Sequence, residues 1–219
     1  MSCIALLFDL DGTLIDSIEL LLICMEHAFV GHPRSPTRPQ WVAGIGTPLR
    51  TQLTEWCDDE SQVDALVSRY RAHQDIHLES LTTPYPGVVS LLEWARQEGH
   101  ATGIVTSKGR GMTARSLGHV GLADAFDTIV TYEETERHKP APEPVLLALD
   151  RLGISADRAL FVGDSPHDMY SGRAAGVRTA AALWGPFTRE QLAPATPVWW
   201  LSGIDEVRDI ASGMASEGV

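Results

Sequence analysis

Phe8-Asp9-Leu10-Asp11-Gly12-Thr13 stands at the end of a short apolar run, residues 3–8, that contains Ile4, Leu6 and Leu7. The run has the length and composition of a buried strand. Two carboxylates, Asp9 and Asp11, follow one residue apart, and Gly12 permits a sharp turn in backbone conformations that other residues avoid. A strand that stops in two acids is poor core material, because unpaired buried charge is costly. A hard cation resolves the conflict. Carboxylate and carbonyl oxygens suit Mg²⁺, which takes one or two protein carboxylates and leaves places for water and phosphate.

Downstream, residues 16–30 have the dense apolar positions of a helix, with Asp16 or Ser17 as N-cap. A Pro-rich break over 31–39 leads to the turn Gly44-Ile45-Gly46-Thr47-Pro48. Leu49, Leu53 and Trp56 then recur at helical spacing, and residues 61–78 form an amphipathic helix with Val63, Leu66, Val67 and Tyr70 on one side. No strand is expected before Thr83-Pro84-Tyr85-Pro86-Gly87. From Val88 helices (88–98, 110–120, 142–152, 166–175) alternate with strands (101–106, 126–130, 159–162, 177–183). A short edge strand over 198–201 and a helix from Ile204 follow, and the small, polar tail 212–219 is expected to fray. This alternation specifies an α/β fold, a doubly wound parallel sheet interrupted by a helical insert after its first strand. In such sheets ligands bind beyond the carboxyl ends of the strands, at a switch point in strand order. Asp9, Thr106 and Asp164 each follow a predicted strand, so they should meet at one edge.

Three further stretches accompany the first: Val105-Thr106-Ser107-Lys108, Lys139-Pro140-Ala141-Pro142-Glu143-Pro144 and Val162-Gly163-Asp164-Ser165-Pro166-His167-Asp168. In content and order, the four resemble the motifs of the haloacid dehalogenase-like superfamily, in its phosphatase branch, and look most like phosphoglycolate phosphatases and their relatives. The resemblance implies a Rossmann-like core over residues 1–14 and 85–219 with a helical cap domain over 15–84. It also implies that the first strand lies between those ending at Thr106 and Asp164.

The same resemblance implies a Mg²⁺-dependent phosphatase that hydrolyses a small phosphate monoester through an aspartyl-phosphate. Asp9 would be the nucleophile, because a carboxylate attacking phosphorus divides a hard hydrolysis into two steps. Asp11 would be the general acid and base. Its presence points to phosphoryl transfer, since dehalogenases of the superfamily lack an aspartate for that step. Thr106 and Ser107 would bind the phosphoryl oxygens, and Lys139 would stabilise Asp9 and the transferring group. The metal would be held by Asp9, Asp11, Asp164 and Asp168, with Asp11 contributing its backbone carbonyl. Lys108 is expected on the rim as a solvated charge, and His167 facing solvent. The cap offers Arg34, Arg38 and Arg50 as anion contacts, with Arg50 foremost because it follows the Gly44 to Thr47 turn. In the related β-phosphoglucomutases an arginine stands where Leu49 falls here, which favours hydrolysis over mutase chemistry. A sugar phosphomutase, a pyrophosphatase and a phospho-accepting signalling module remain the alternatives.

A chain of 219 residues with 44% hydrophobic and 21% charged residues can bury a full core. Its formal net charge of −12 argues against a general nucleic-acid or anionic-membrane surface. The charge does not exclude an anionic small-molecule substrate, because a bound cation and a few local basic groups invert the field within one cleft. Cys3, Cys24 and Cys57 are odd in number and lack paired metal-ligand spacing, as expected of free thiols in a reducing compartment. Neither a signal peptide nor a membrane span is apparent. The expectation is a cytoplasmic monomer or homodimer.

Overall fold

The computed structural model describes residues 3–217. Its elements, in chain order, begin with β1 (Ala5–Phe8), β2 (Ile15–Asp16) and the helices α1 (Ile18–Ala28), α2 (Arg38–Gly44), α3 (Leu49–Thr54) and α4 (Glu60–His77). There follow β3 (Thr83–Pro84), α5 (Val88–Gln97), β4 (Ala101–Val105), α6 (Arg110–His119), β5 (Thr128–Val130) and α7 (Glu143–Leu152). β6 (Ala159–Gly163), α8 (Pro166–Ala174), β7 (Arg178–Ala182), α9 (Arg189–Leu192), β8 (Trp199–Leu201) and α10 (Val207–Glu217) complete the chain.

Six strands form one sheet in the order β5-β4-β1-β6-β7-β8, and every pairing is parallel. This is an α/β Rossmann-like fold, with the first strand between those that end at Thr106 and Asp164, as expected. Both faces of β1 are covered, which is why it reads as an unbroken apolar run. Leu6 and Phe8 pack with Leu91 of α5 and Val207 of α10, while Ala5 and Leu7 pack with Val145 and Leu149 of α7. Truncation of fully buried Leu7 to alanine would cost about 2–5 kcal/mol.

The helices between β2 and β3 have a core of their own, built from Leu20, Met25, Trp41, Leu53, Leu66 and Tyr70. Asp59 caps α4 by accepting from the Gln62 amide at 3.0 Å. The helical region over 41–56 divides into α2 and α3, because Gly46 has φ +99° and Pro48 supplies no amide for a continuing helix.

Two expectations change. The helix expected over 16–30 starts only at Ile18, and where no strand was expected Ile15 pairs with Pro84 and Asp16 with Thr83 in a two-stranded antiparallel ribbon. A two-residue pairing has no periodicity to read, and it lies where the chain leaves and re-enters the sheet domain. The tail does not fray over 212–217, because Met214 and Ala215 are buried in the main core and hold α10; residues 218 and 219 lie outside the described residues. No helix among the described residues is long and apolar enough to cross a membrane.

Candidate active site

The three strand ends meet as the sheet topology requires. The Asp9 amide donates to the Val162 carbonyl and the Thr106 amide to the Val130 carbonyl, each at 2.9 Å, so both residues continue the sheet ladder one step past their strands. The Leu10 carbonyl then accepts from the amides of Leu14 and Ile15 at 3.0 and 3.1 Å, which closes the turn that carries Asp11 and Gly12. Gly12 has φ +87°, and a Cβ there would stand 2.6 Å from Asp164 Oδ2. Glycine is therefore required twice over, by its backbone angle and by the approach of Asp164.

Lys139 Nζ donates to Asp9 Oδ1 at 2.7 Å, to Asp168 Oδ1 at 2.6 Å and to the Val105 carbonyl at 3.2 Å. All three side chains are almost entirely removed from solvent. Asp168 Oδ2 accepts from the Ser165 amide at 3.1 Å and the Ser165 hydroxyl at 2.6 Å, in the capping box that starts α8. Thr13 Oγ1 donates to Asp164 Oδ1 at 2.7 Å, whereas Asp164 Oδ2 is buried without a partner.

The electrostatics of this cluster are unbalanced. Asp9, Asp164 and Asp168 each offer an oxygen within 4.8 Å of the others, against the single Lys139 ammonium. Burial pushes Asp9 up to about 7 despite Lys139, and the neighbouring Asp168 and Asp11 add to the rise. Burial, then Asp9 and Asp168, lift Asp164 well above the ordinary carboxylate range. Burial alone would lower Lys139, but Asp168 and Asp9 outweigh it and hold the ammonium charged. A buried, all-oxygen set with excess negative charge and one orphaned carboxylate oxygen fits a hard divalent cation such as Mg²⁺. Asp9 and Asp164 have oxygens to offer it. Both Asp168 oxygens are already engaged, so that residue is better placed to hold Lys139 and the start of α8.

The Asp11 carboxylate is turned away from this cluster. Its Oδ1 accepts from Lys108 Nζ and from Ser17 Oγ, each at 2.6 Å. Lys108 is therefore not a solvated rim charge: its side chain is 6% exposed, drawn inward by Asp11. Thr106 is buried, its hydroxyl accepting from the Lys108 amide at 3.2 Å. Ser107 Oγ donates to the Gly46 carbonyl at 2.6 Å and so ties the loop after β4 to the turn between α2 and α3. His167 is also not solvent-facing. It bonds the backbone of Ala43, its Nδ1 is buried without a partner, and burial lowers its basicity. A Cβ on Gly46 would come within 3.4 Å of its ring.

A cavity of about 480 Å³ lies above Asp9, Asp11, Thr106 and Ser107, roofed by the helical insert. Arg50 lines it, but its guanidinium is held by Glu60 and, at 2.8 Å, by Asp64, so it is not the free anion contact expected. Arg34 pairs with Asp58 at 2.8 Å, and Arg38 with Glu19 at 2.8 Å and Glu26 at 2.6 Å. Sequence reading missed Ser17, Gly185 and the Tyr70-Arg71-Gln74 group of α4. A Cβ on Gly185 would stand 2.3 Å from Asp164 Cβ, so this glycine after β7 is the second wall of the Asp164 site. The local sequence marks Ser17 as a helix cap and Tyr70 as part of a buried helix face, but the place of each in the site comes only through tertiary contact.

The profile of the haloacid dehalogenase-like hydrolases matches residues 6–182. The chain is 35% identical over 211 residues to the pyrophosphatase PpaX of Bacillus velezensis, covering 94% of this chain and 95% of that one. Among solved structures, a haloacid dehalogenase-like hydrolase from Bacteroides fragilis superposes with a TM-score of 0.86 at 27% identity, covering 94% of this chain and 100% of that one. A Haemophilus somnus protein described as a predicted phosphoglycolate phosphatase has the same fold, with a TM-score of 0.86 at 21% identity over 95% of this chain and 97% of that one.

Proposed function

This chain belongs to the haloacid dehalogenase-like hydrolases, and from that membership we propose that it is a Mg²⁺-dependent phosphatase acting through an aspartyl-phosphate at Asp9. The observation that carries the reading is the contact of Asp9 with Lys139 at 2.7 Å, in the cluster that holds the orphaned oxygen of Asp164, with Asp9 itself lining the cavity. An Asp9 oxygen attacks phosphorus, and the bond from phosphorus to the leaving oxygen breaks. Asp11 gives its proton to that oxygen, then takes a proton from the water that attacks the aspartyl-phosphate, which releases phosphate and restores Asp9. Lys139 opposes the rise that burial imposes on Asp9 and faces the charge that develops on the phosphoryl oxygens. Thr106 and the amides of Ser107 and Lys108 bind those oxygens. Asp9, the Asp11 carbonyl and Asp164 would hold Mg²⁺, which would supply charge that offsets the repulsion between Asp9 and the phosphoryl group; Asp168 orients Lys139 beside them.

Residues 1–14 and 85–219 form the core domain in this reading, and 15–84 the cap that closes over Asp9. The substrate is a small phosphate ester or anhydride. Phosphoglycolate is suggested by the motif resemblance, and pyrophosphate by the named function of the Bacillus velezensis relative. Free Cys3, Cys24 and Cys57 suit a cytoplasmic protein. Phosphate release from a panel containing both compounds, in Mg²⁺ and again in excess EDTA, tests the proposal. Turnover that requires Mg²⁺ supports it, and full activity in EDTA contradicts it.

A further inference from the structure

We infer that His73 and His77, with His27 beside them, form a binding site for a divalent transition-metal ion such as Zn²⁺ on the surface of the helical insert. The site is separate from the Asp9 cluster and does not depend on the phosphatase reading; none of the three histidines lines the cavity.

His73 and His77 stand four residues apart in α4, so their side chains are neighbours on one side of the helix. Two histidines at that spacing on a helix can bind one metal ion. His27, in the last turn of α1, reaches the same place from a separate helix. The His27 and His73 rings stack with centroids 4.1 Å apart and planes at 9°. The His73 and His77 rings are 4.4 Å apart and inclined at 50°. Three imidazoles therefore stand in one row, with His73 in the middle.

Nothing in the fold engages their nitrogens. Among the described residues, no ring nitrogen of the three has a hydrogen-bond or ion-pair partner. By contrast, His119 Nε2 lies 3.2 Å from the Thr82 carbonyl and His32 Nδ1 lies 2.6 Å from the Arg34 carbonyl. His27 is exposed and the other two are half-buried, so an ion can approach from solvent. Arg69, one turn before His73, is occupied by the His27 and Val30 carbonyls at 3.1 and 2.8 Å. Burial, then His27 and His77, lower the basicity of His73, which keeps the middle ring neutral and able to ligate near neutral pH.

Neutral imidazole suits Zn²⁺, Cu²⁺ and Ni²⁺, whereas the all-oxygen cluster at Asp9 suits Mg²⁺. Two nitrogens each about 2.0–2.1 Å from one Zn²⁺ lie roughly 3–4 Å apart, within reach of the inclined His73 and His77 rings. The three rings do not close on one point as they stand, since only Asp9, Asp164 and Asp168 bring three ligand atoms within 4.8 Å among the described residues. The chelating pair is therefore His73 and His77, and His27 turns out of its stack to add a third ligand. An ion held this way ties α1 to α4.

The test is calorimetric titration of Zn²⁺ into the purified chain in excess Mg²⁺, for wild type, His73→Ala, His77→Ala, His27→Ala and Asp164→Ala. Wild type should bind Zn²⁺. His73→Ala and His77→Ala should each weaken binding about 10-fold or more, since each removes half of the chelating pair. His27→Ala should weaken it less, and Asp164→Ala should leave it unchanged. Zn²⁺ should also raise the melting temperature of wild type in excess Mg²⁺ but not that of His73→Ala, because an ion bound only by the folded state stabilises it. Absence of Zn²⁺ binding in excess Mg²⁺, binding indifferent to His73→Ala and His77→Ala, or binding lost in Asp164→Ala overturns the inference. An affinity unchanged in His27→Ala overturns the part given to that residue.

Discussion

Lys108 Nζ lies 2.6 Å from Asp11 Oδ1, and Ser17 Oγ donates to the same oxygen at 2.6 Å. The pair joins the loop after β4 to the turn after β1, with side chains 6% and 14% exposed. Asp11 is thereby held by Lys108 and Ser17, while Asp9 is held by Lys139. The proposed acid and the proposed nucleophile are separated only by Leu10 in sequence but have separate cationic partners.

Removing Lys108 should therefore destabilise the fold through Asp11. Lys108→Met should cost about 3 kcal/mol, the lower end for a broken buried pair, because Asp11 keeps Ser17 and some contact with water. In urea unfolding, Asp11→Asn should suppress most of that loss in the double variant. Simple addition of the two single effects would show that Lys108 acts through other contacts.

As general acid and base, Asp11 serves both halves of the reaction. Asp11→Asn should slow leaving-group expulsion and dephosphorylation by roughly 10²–10⁴-fold. Rapid quench with an activated phosphate donor should then reveal a longer-lived phospho-enzyme. Unchanged rates for both steps would reduce Asp11 to a structural partner of Lys108.

Mg²⁺ should stabilise the fold more at pH 8 than at pH 5.5. Asp9 rises from 3.8 to about 7 on folding, chiefly through burial. A raised acid favours the folded state fully below its unfolded value and loses that contribution as pH climbs through the folded one. The metal-free protein thus forfeits this contribution by pH 8, where the ionised carboxylates are also free to take the cation. Thermal melts with Mg²⁺ and with EDTA at the two pH values measure the difference. In Asp164→Ala, the Mg²⁺ concentration needed for activity should rise. An equal or larger Mg²⁺ effect at pH 5.5 would contradict the cluster as a metal site.

Much of this architecture was legible before the structure. β1 is covered on both faces and so reads as an apolar run, and β4, β6 and β7 are each announced by a helix that gives way to a glycine, Gly99, Gly153 and Gly176. The convergence of Asp9, Thr106 and Asp164 follows from parallel strands alone. What was not legible depends on contacts between distant segments. Lys108 looks like any loop lysine until the turn after β1 brings Asp11 to it. Arg50 looks free until Glu60 and Asp64, on the first turns of α4, reach across to it. Conversely, Arg71 sits in an ordinary charged helix, and only the fold places it at the cavity. The β2–β3 ribbon was missed because two residues have no period.

The central claim is that Asp9 is the nucleophile. Its most direct measurement is steady-state hydrolysis of pyrophosphate and phenyl phosphate in Mg²⁺ by purified Asp9→Asn, with circular dichroism confirming the fold. An amide is a poor nucleophile and a weak Mg²⁺ ligand, yet it keeps the size of the carboxylate beside Lys139. The account predicts a folded protein with no detectable turnover of any substrate that the wild type accepts. Near-normal hydrolysis by Asp9→Asn would contradict it.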